Sequence, residues 1–185
     1  EEKQKLTSSN EKFNSNSVFV ITQDGNIVKV VDKETENVNL DVQLNKYINN
    51  VIPDDEVAYK TVSTYKEFMN IYKSKKVTMH VFGRNTCYYC NIFKPVYNEV
   101  AAENNLDIYY YDSDSFNSEE YSKILNSGIK IPAECTSSKE ELPLSSGFGT
   151  PLTLYLKNGK VVGCISGYVN KEKLETKLKS VGMMK

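Results

Sequence analysis

Two cysteines separated by two residues are the strongest chemical signal in this chain. Cys87 and Cys90 enclose Tyr88 and Tyr89, and the motif follows a predicted strand and opens a predicted helix. A helix N-terminus supplies unpaired N–H groups and partial positive charge, which stabilise a thiolate. One helical turn also brings two sulfurs close enough to bridge. We therefore expect Cys87 to be an exposed thiol of low pKa that attacks disulfides, and Cys90 to resolve the mixed disulfide.

Two other interpretations of the cysteine motif stay open: half of a zinc site, and a purely structural bridge. Zinc needs a second pair of ligands at short spacing, but Cys135 and Cys164 are far apart and the sole histidine is His80. No metal or other cofactor is therefore expected. A histidine in a strand is usually a hydrogen-bonded core or surface residue rather than a catalyst. Asp112 and Asp114 lack the Gly-centred spacing of a calcium loop, so we interpret them as a solvated edge.

A second candidate element is the tripeptide Gly149-Thr150-Pro151, which precedes a predicted strand. A proline at the first residue of a strand removes no ladder hydrogen bond, so the tripeptide is compatible with a proline that only marks the start of that strand. It is equally compatible with a cis X-Pro turn that faces the cysteine pair. In that case the Thr150 backbone would receive an extended substrate segment as an added strand. The tripeptide alone does not decide between the two.

Alternating strand and helix patterns position these motifs from residue 56 onward. Their order, βαβαβαββα, predicts an α/β domain with a central mixed sheet, helices on both faces and an antiparallel edge. A turn at Asn158-Gly159 joins the last two strands. The predicted strands are 57–62, 77–82, 106–111, 152–156 and 161–165, and the predicted helix caps include Thr64, Ser118 and Asn170.

The N-terminal part carries a different pattern. Residues 1–16 hold few large apolar side chains and predict a flexible tether. Two apolar runs flank Asp24-Gly25-Asn26, which predicts a β-hairpin, and a helical pattern follows over 44–52. We therefore assign residues 17–55 to a small accessory module of hairpin and helix, and residues 56–185 to the main domain.

Together these residues resemble the thioredoxin superfamily. The resemblance implies a thioredoxin-like fold and thiol-disulfide exchange with protein substrates. It makes Cys87 the nucleophile, Cys90 the resolving thiol and Pro151 the cis-proline, with Thr150 binding substrate beside Tyr88 and Tyr89. The residues that carry it, from about Val57 to Val181, are Cys87-Tyr88-Tyr89-Cys90, Pro95 in the same helix, Thr150-Pro151, Asn158-Gly159-Lys160, and Gly167 after the last strand.

A narrower similarity is to thioredoxin-like proteins that Gram-positive bacteria export or tether outside the membrane, of the bacteriocin-transport accessory type. It rests on Gly149-Thr150-Pro151 and on the abundance of Asn, Lys and Tyr. The sequence departs from reducing thioredoxins at Val81, where they keep a buried Asp. Without that carboxylate, deprotonation of Cys90 would depend on water, Glu103 or His80. This departure argues against efficient general-purpose disulfide reduction.

By the same resemblance, residues 129–149 form an insertion, because a minimal thioredoxin-like domain crosses this region with far fewer residues. Cys135 lies in the insertion. Cys164 lies in the last strand, opposite Thr153 if the Asn158-Gly159 turn sets the register. Three interpretations stay open: a structural disulfide between these two cysteines, two buried free thiols, or Cys135 as an additional redox thiol.

Composition narrows the expected partners. The 23 Lys and Arg residues nearly balance 24 Asp and Glu residues, so no cationic excess is present for binding nucleic acid. No stretch approaches the roughly 20 apolar residues of a membrane helix. We expect protein dithiols and disulfides as substrates, and a redox partner for regeneration.

The even number of cysteines and the start at Glu1 favour a secreted or membrane-anchored extracytoplasmic protein, with a membrane tether upstream of residue 1. The leading functional prediction is a thiol-disulfide oxidoreductase. The alternative is a non-catalytic binding or scaffold protein of a secretion or surface machine, in which Cys87 and Cys90 form a static bridge.

Overall fold

The computed structural model describes residues 17–21, 27–32 and 57–185. The chain divides into two compact units, Glu1–Glu56 and Val57–Lys185. In the first unit, strands β1 (Ser17–Ile21) and β2 (Ile27–Asp32) pair antiparallel, as the hairpin prediction requires. The predicted tether and the predicted helix over 44–52 lie outside the described residues.

The second unit alternates strands with helices. Two short 3-10 turns, Ala133–Cys135 and Leu144–Ser146, lie between its later strands. In chain order its elements are β3 (Lys60–Thr61), α1 (Tyr65–Tyr72), β4 (Thr78–Gly83), α2 (Tyr88–Asn104), β5 (Ile108–Asp112), α3 (Ser118–Leu125), β6 (Lys130–Ile131), β7 (Leu142–Pro143), β8 (Leu152–Lys157), β9 (Lys160–Ser166) and α4 (Lys171–Ser180).

A five-stranded mixed sheet forms the centre of this unit, in the order β3-β5-β4-β8-β9. Strand β5 pairs parallel with β3 and with β4. Strand β8 pairs antiparallel with both β4 and β9. The predicted α/β class, with a mixed sheet and an antiparallel edge, is confirmed.

Side-chain caps fix where the helices begin. The Thr64 hydroxyl accepts a hydrogen bond from the Glu67 amide, and the Glu67 carboxylate accepts one from the Thr64 amide, each at 3.2 Å. This capping box starts α1 as predicted, and Asn170 caps α4 as predicted. Helix α3 is capped by Asn117 instead of Ser118, because the Asn117 amide oxygen reaches two backbone N–H groups of the first turn.

Three details differ from the sequence-based expectations. The strand predicted at 57–62 is reduced to the two residues of β3, which pair with β5 before the chain turns into α1. The predicted insertion at 129–149 contains a separate two-stranded antiparallel sheet, β6 with β7. The strand predicted at 106–111 begins only at Ile108. Within the described ranges, no helix has the length and apolar character needed to cross a membrane.

Apolar side chains form one buried cluster on each face of the sheet, because successive side chains of a strand point to opposite faces. The predicted helices on both faces are thereby confirmed. The α1/α3 face is represented by Phe68, Phe82, Tyr111, Ile124 and Leu154, and the α2/α4 face by Met79, Val81, Phe93, Tyr97, Tyr110 and Leu174.

Candidate active site

The two cysteines of the motif lie at the junction between β4 and α2. Cys87 is the N-cap of α2, and its Sγ accepts a hydrogen bond from the Cys90 amide at 3.4 Å. Cys90 lies three residues further on, in the first turn of α2, and both cysteines are free thiols. The helix N-terminus therefore points its unpaired N–H groups at the Cys87 sulfur.

This placement separates the pKa values of the two thiols. Partial burial opposes ionisation of Cys87, but hydrogen bonds from Cys90, Thr150 and the Tyr89 amide outweigh it and hold the pKa of Cys87 below its usual range. Burial, reinforced by the hydrogen bond to Cys87, raises the pKa of Cys90 to about 11. Cys87 is thus the thiol that ionises first, and Cys90 keeps its proton.

The Thr150-Pro151 turn lies directly against Cys87. The peptide bond between these two residues is cis, and the Cys87 thiol donates a hydrogen bond to the Thr150 carbonyl oxygen at 3.4 Å. Contrary to the expected exposed thiol, only 8% of Cys87 is exposed, because the first turn of α2 and this turn enclose its sulfur. The structure therefore brings the cysteine pair and the Thr150-Pro151 turn together.

Three tyrosines give this region an exposed aromatic rim. Tyr88 and Tyr89 are 53% and 57% exposed, and their rings meet edge to face with centroids 5.4 Å apart. Tyr168 is 40% exposed and packs its ring edge to face against Phe93 of α2. Large exposed aromatic side chains beside a reactive thiol offer apolar contact area to an approaching polypeptide.

A pair of aspartates holds the loop that leads into the cysteine motif. Asp112 is only 5% exposed, and its carboxylate accepts hydrogen bonds from the backbone and side chain of Asn85. Asp114 accepts hydrogen bonds from the Thr86 amide at 2.9 Å and the Thr86 hydroxyl at 2.8 Å. The interpretation of these acids as a solvated edge is wrong for Asp112, because parallel pairing places Gly83 beside Asp112 at the end of the sheet. Asp114 is exposed, as that interpretation expected.

Neither proton acceptor suggested from the sequence faces Cys90. His80 lies on the α1/α3 face, where its ring contacts the Thr78 hydroxyl at 2.8 Å and the Tyr111 hydroxyl at 2.7 Å. Glu103 pairs with Lys171 at 2.8 Å. Both suggestions are wrong. Alternation along β4 turns His80 away from α2, and Glu103 is paired with Lys171.

Two side chains in the surroundings of Cys90, those of Tyr110 and Lys94, were not predicted from the sequence. A β-carbon added to Gly83 would lie 3.1 Å from both the Cys90 Sγ and the Tyr110 hydroxyl oxygen. Lys94 places its Nζ 4.6 Å from the centroid of the Tyr110 ring. The spacing of four residues between Cys90 and Lys94 on one helix was the available signal. The approach of Tyr110 depends on the packing of β5 under α2, and no sequence pattern near Cys90 indicates it.

The other two cysteines form a disulfide, one of the three interpretations left open by the sequence. The Cys135–Cys164 bridge joins the first 3-10 turn of the insertion to β9, with Cα atoms 6.3 Å apart. Cys164 pairs with Leu154, whereas the expected partner was Thr153. An irregularity between Tyr155 and Leu156 shifts the register by one residue, with the exposed Val162 as the extra residue of β9.

Among residues 17–21, 27–32 and 57–185, no group of three or more His, Cys, Asp or Glu side chains is arranged to hold a metal ion. The positions of Cys87 and Cys90 in the first turn of α2 support thiol chemistry. A low-pKa thiol at a helix N-terminus, a second thiol one turn behind it and an adjacent cis-proline turn are suited to nucleophilic attack on a disulfide and its resolution.

Comparisons with known proteins agree with this geometry. The fold is similar to that of thioredoxin from Nicotiana alata, with a TM-score of 0.51 and 18% identity over 70% of this chain and 97% of that chain. Thioredoxin from Trypanosoma brucei brucei gives a TM-score of 0.50 and 17% identity over 71% of this chain and 96% of that chain. No match was found among curated proteins. Residues 65–182, more than half of the sequence, match a family described as thioredoxin-like domain, and the chain therefore belongs to the thioredoxin-like domain family.

Proposed function

We propose that this protein exchanges disulfides with protein substrates through Cys87 and Cys90. The observation that carries the proposal is the position of Cys87 as the N-cap of α2, with its sulfur facing the amide of Cys90. The thioredoxin-like domain supports a function of the thiol-disulfide oxidoreductase type. The opposite pKa shifts of the two thiols give each a distinct part in the reaction.

The reaction has two balanced steps. The Cys87 thiolate attacks one sulfur of a substrate disulfide, so that a Cys87–substrate bond forms, the substrate disulfide breaks, and its other sulfur leaves as a thiolate. The Cys90 thiolate then attacks the Cys87 Sγ, forms the Cys87–Cys90 disulfide and releases the second substrate sulfur. Two electrons pass from the protein to the substrate, and a redox partner returns them; the reverse sequence oxidises a substrate dithiol.

The substrate is a protein segment that lies across the Thr150-Pro151 turn. The Thr150 carbonyl oxygen already faces Cys87 at 3.4 Å, so an extended segment pairing with this backbone would bring its sulfur to the nucleophile. The exposed rings of Tyr88 and Tyr89 flank the same thiol and supply apolar contacts. Backbone pairing and apolar contact together favour a polypeptide over a small thiol.

Two single substitutions test this function. In a disulfide-reduction assay with insulin, Cys87→Ser abolishes turnover because the nucleophile is lost. Cys90→Ser accumulates a mixed disulfide with the substrate, which appears as a shifted band on a non-reducing gel, because the resolving thiol is lost. Ser122→Ala, an exposed substitution on α3, is the control and leaves turnover unchanged. Unchanged turnover in both cysteine variants would support the non-catalytic scaffold instead.

We also propose that the protein works outside the cytoplasm, in the manner of the exported Gram-positive proteins that its sequence resembles, tethered upstream of residue 1. The Cys135–Cys164 disulfide supports this placement, because structural disulfides persist in oxidising compartments. Labelling of intact cells with a thiol reagent that does not cross membranes, after reduction, checks the proposal: a protein that stays unlabelled until lysis contradicts it.

A further inference from the structure

The second step of the proposed reaction requires ionisation of a thiol that resists it. Cys90 is 1% exposed, and burial is the largest cause that raises its pKa; the smaller contribution of Cys87 belongs to the reduced pair, before substrate is attached. His80 and Glu103 are engaged elsewhere, and Val81, which faces α2 from β4, carries no ionisable group. Hydrogen bonds with the Arg84 backbone and the Thr150 side chain lower the pKa of Cys90 but do not offset burial. A nearby positive charge would therefore stabilise the Cys90 thiolate further.

The packing around Gly83 shows which side chains share the surroundings of Cys90. A β-carbon added to Gly83 would lie 2.9 Å from Tyr110 Cε2, and 3.1 Å from both the Tyr110 hydroxyl oxygen and the Cys90 Sγ. The ring of Tyr110 and the sulfur of Cys90 therefore flank the same point above the sheet. The missing side chain of glycine is what permits this close approach.

Lys94 brings a positive charge to the same ring. It lies four residues after Cys90 on α2 and therefore on the same side of the helix. Its Nζ lies 4.6 Å from the centroid of the Tyr110 ring and donates a hydrogen bond to the Asn85 side-chain oxygen. Two contacts, one with a strand and one with the loop before the motif, thus hold the ammonium group in the neighbourhood of Cys90.

Charges on several elements act on this group. Lys94 is half-buried, and burial lowers its pKa, while the negative charges of Asp112 and of ionised Cys90 raise it. Lys94 and an ionised Cys90 therefore stabilise one another. The titratable groups that interact with Cys90, Lys94 or Tyr110 are Cys87, Tyr97, Tyr59, Asp112 and Asp114. Arg84 interacts with Cys90 through its backbone and with Asp114 through its charge.

We propose that Lys94 is a positioning residue for the second step, whose ammonium charge, held against the Tyr110 ring, stabilises the Cys90 thiolate. This proposal rests on the exchange function proposed above. Cys90 releases its proton, its thiolate attacks the Cys87 Sγ, and the bond between Cys87 and the substrate sulfur breaks. The departing sulfur takes up one proton in exchange for the one that Cys90 released. Lys94 keeps its own proton throughout.

The size of the effect follows from two opposing trends. Removal of a nearby opposite charge raises a pKa by about one unit at a half-exposed position, which lowers the thiolate fraction of Cys90 about tenfold near neutral pH. A thiolate of higher pKa is a better nucleophile, with a Brønsted coefficient of about 0.5, so each remaining thiolate attacks about threefold faster. Loss of the charge should therefore slow resolution about threefold.

An aromatic disulfide whose two thiolates absorb visible light, dithiobis-nitrobenzoate, separates the two steps. Attack by Cys87 releases the first coloured thiolate, and attack by Cys90 releases the second. In the full chain near pH 7, with Cys87 and Cys90 reduced and the Cys135–Cys164 disulfide intact, we expect Lys94→Met to slow the second release about threefold and to change the first by less than about twofold. Lys94→Arg restores the second release, because it keeps the charge. Lys123→Met, which removes an exposed charge from α3, leaves both releases unchanged.

Each other outcome overturns one specific statement. Absence of the first release in the wild-type chain overturns the exchange function itself. A normal first release with an unaltered second release in Lys94→Met overturns the role of Lys94 alone. A slowed second release that Lys94→Arg does not restore also overturns it, because the side chain would then act through packing. A normal first release in each variant also shows that the variant is folded at its active site.

Discussion

The two faces of the central sheet differ in how their buried polar side chains are hydrogen-bonded. On the α1/α3 face, the ring nitrogens of His80 contact the hydroxyls of Thr78 and Tyr111 at 2.8 and 2.7 Å, so each group has a partner. On the α2/α4 face, the hydroxyls of Tyr97 and Tyr110 are buried without a hydrogen-bond partner among the described residues. A satisfied network stiffens a core, whereas an unpaired buried hydroxyl costs stability.

The cysteines divide in the same way. Cys164 belongs to the α1/α3 cluster and is bridged to Cys135 of the insertion. Cys90 lies against Gly83 and Tyr110 on the α2/α4 face and is a free thiol. The face on which His80, Thr78 and Tyr111 are hydrogen-bonded is thus also the covalently fixed face, although the Ser127 hydroxyl after α3 has no hydrogen-bond partner in the part of the chain that the structure describes. The face with the unpaired Tyr97 and Tyr110 hydroxyls contains the reactive pair. This difference suggests that stability and reactivity are assigned to opposite sides of one sheet.

Removal of the bridge should have the largest effect on stability and little effect on exchange. The disulfide joins residues 29 positions apart. In Cys135→Ala combined with Cys164→Ala we expect the free energy of unfolding to fall by about 3–4 kcal/mol, because the unfolded chain gains the freedom that this loop had lost. Urea unfolding followed by circular dichroism measures the change, and insulin reduction measures exchange.

The matched control removes the other pair. Cys87→Ala combined with Cys90→Ala breaks no covalent link, so we expect it to lower the free energy of unfolding by less than about 1.5 kcal/mol while it abolishes exchange. Equal losses of stability in the two double variants, or loss of exchange in the bridge variant, would contradict the division of roles between the two faces.

Protonation of His80 should make the α1/α3 face sensitive to acid. Burial lowers the pKa of His80 from 6.5 to about 3. Below pH 6.5 the unfolded chain therefore binds a proton that the folded chain does not, and stability falls as the pH falls. Between pH 6.5 and pH 5 we expect a loss of about 1.6 kcal/mol in the free energy of unfolding, with a slope that approaches about 1.4 kcal/mol per pH unit.

The control for this pH dependence is His80→Asn, which keeps polar groups at the site and does not titrate in this window. Since His80 is the sole histidine, the variant should show a flat profile between pH 6.5 and pH 5, although it is less stable at neutral pH. Parallel urea-unfolding profiles of the two proteins would show that the α1/α3 face is not the source of the pH dependence.

Local patterns were sufficient to predict the order of elements and the cysteine motif. Helix α2 begins directly after its N-cap Cys87, because the strand before it ends at Gly83 and a short polar connection follows, and all of this is visible in the sequence. The register of β9 was not predictable, since the irregularity at Val162 leaves no local signature. Cys164 therefore lies opposite Leu154 and points to the α1/α3 face.

The surroundings of Cys90 show the same limit more sharply. Its distance in sequence from Lys94 is one helical turn, so that neighbour was readable in principle. Tyr110 lies on another element, and only the parallel pairing of β4 with β5 brings it beside Gly83. His80 was wrongly expected near Cys90. It is adjacent in sequence to Val81, which faces α2, but adjacent residues of a strand point to opposite faces of the sheet.

Two adjacent tyrosines give the smallest and most direct test of the comparison between faces. Tyr110 and Tyr111 are neighbours on β5, both are buried, and they point to opposite faces. Tyr111→Phe leaves the Nδ1 of His80 without its partner, so we expect a loss of about 1–2 kcal/mol in the free energy of unfolding. Tyr110→Phe removes a hydroxyl that has no partner, so we expect no loss, or a gain of up to about 1 kcal/mol.

Urea unfolding of both variants beside the wild-type protein measures the difference at constant ring packing. Each variant keeps its ring and loses one oxygen, so each is the control for the other. The sign matters more than the size, because the two substitutions are chemically identical and separated by one residue. Equal losses would mean that the Tyr110 hydroxyl is satisfied in solution, and the contrast between the two faces would then not extend to their hydrogen bonding.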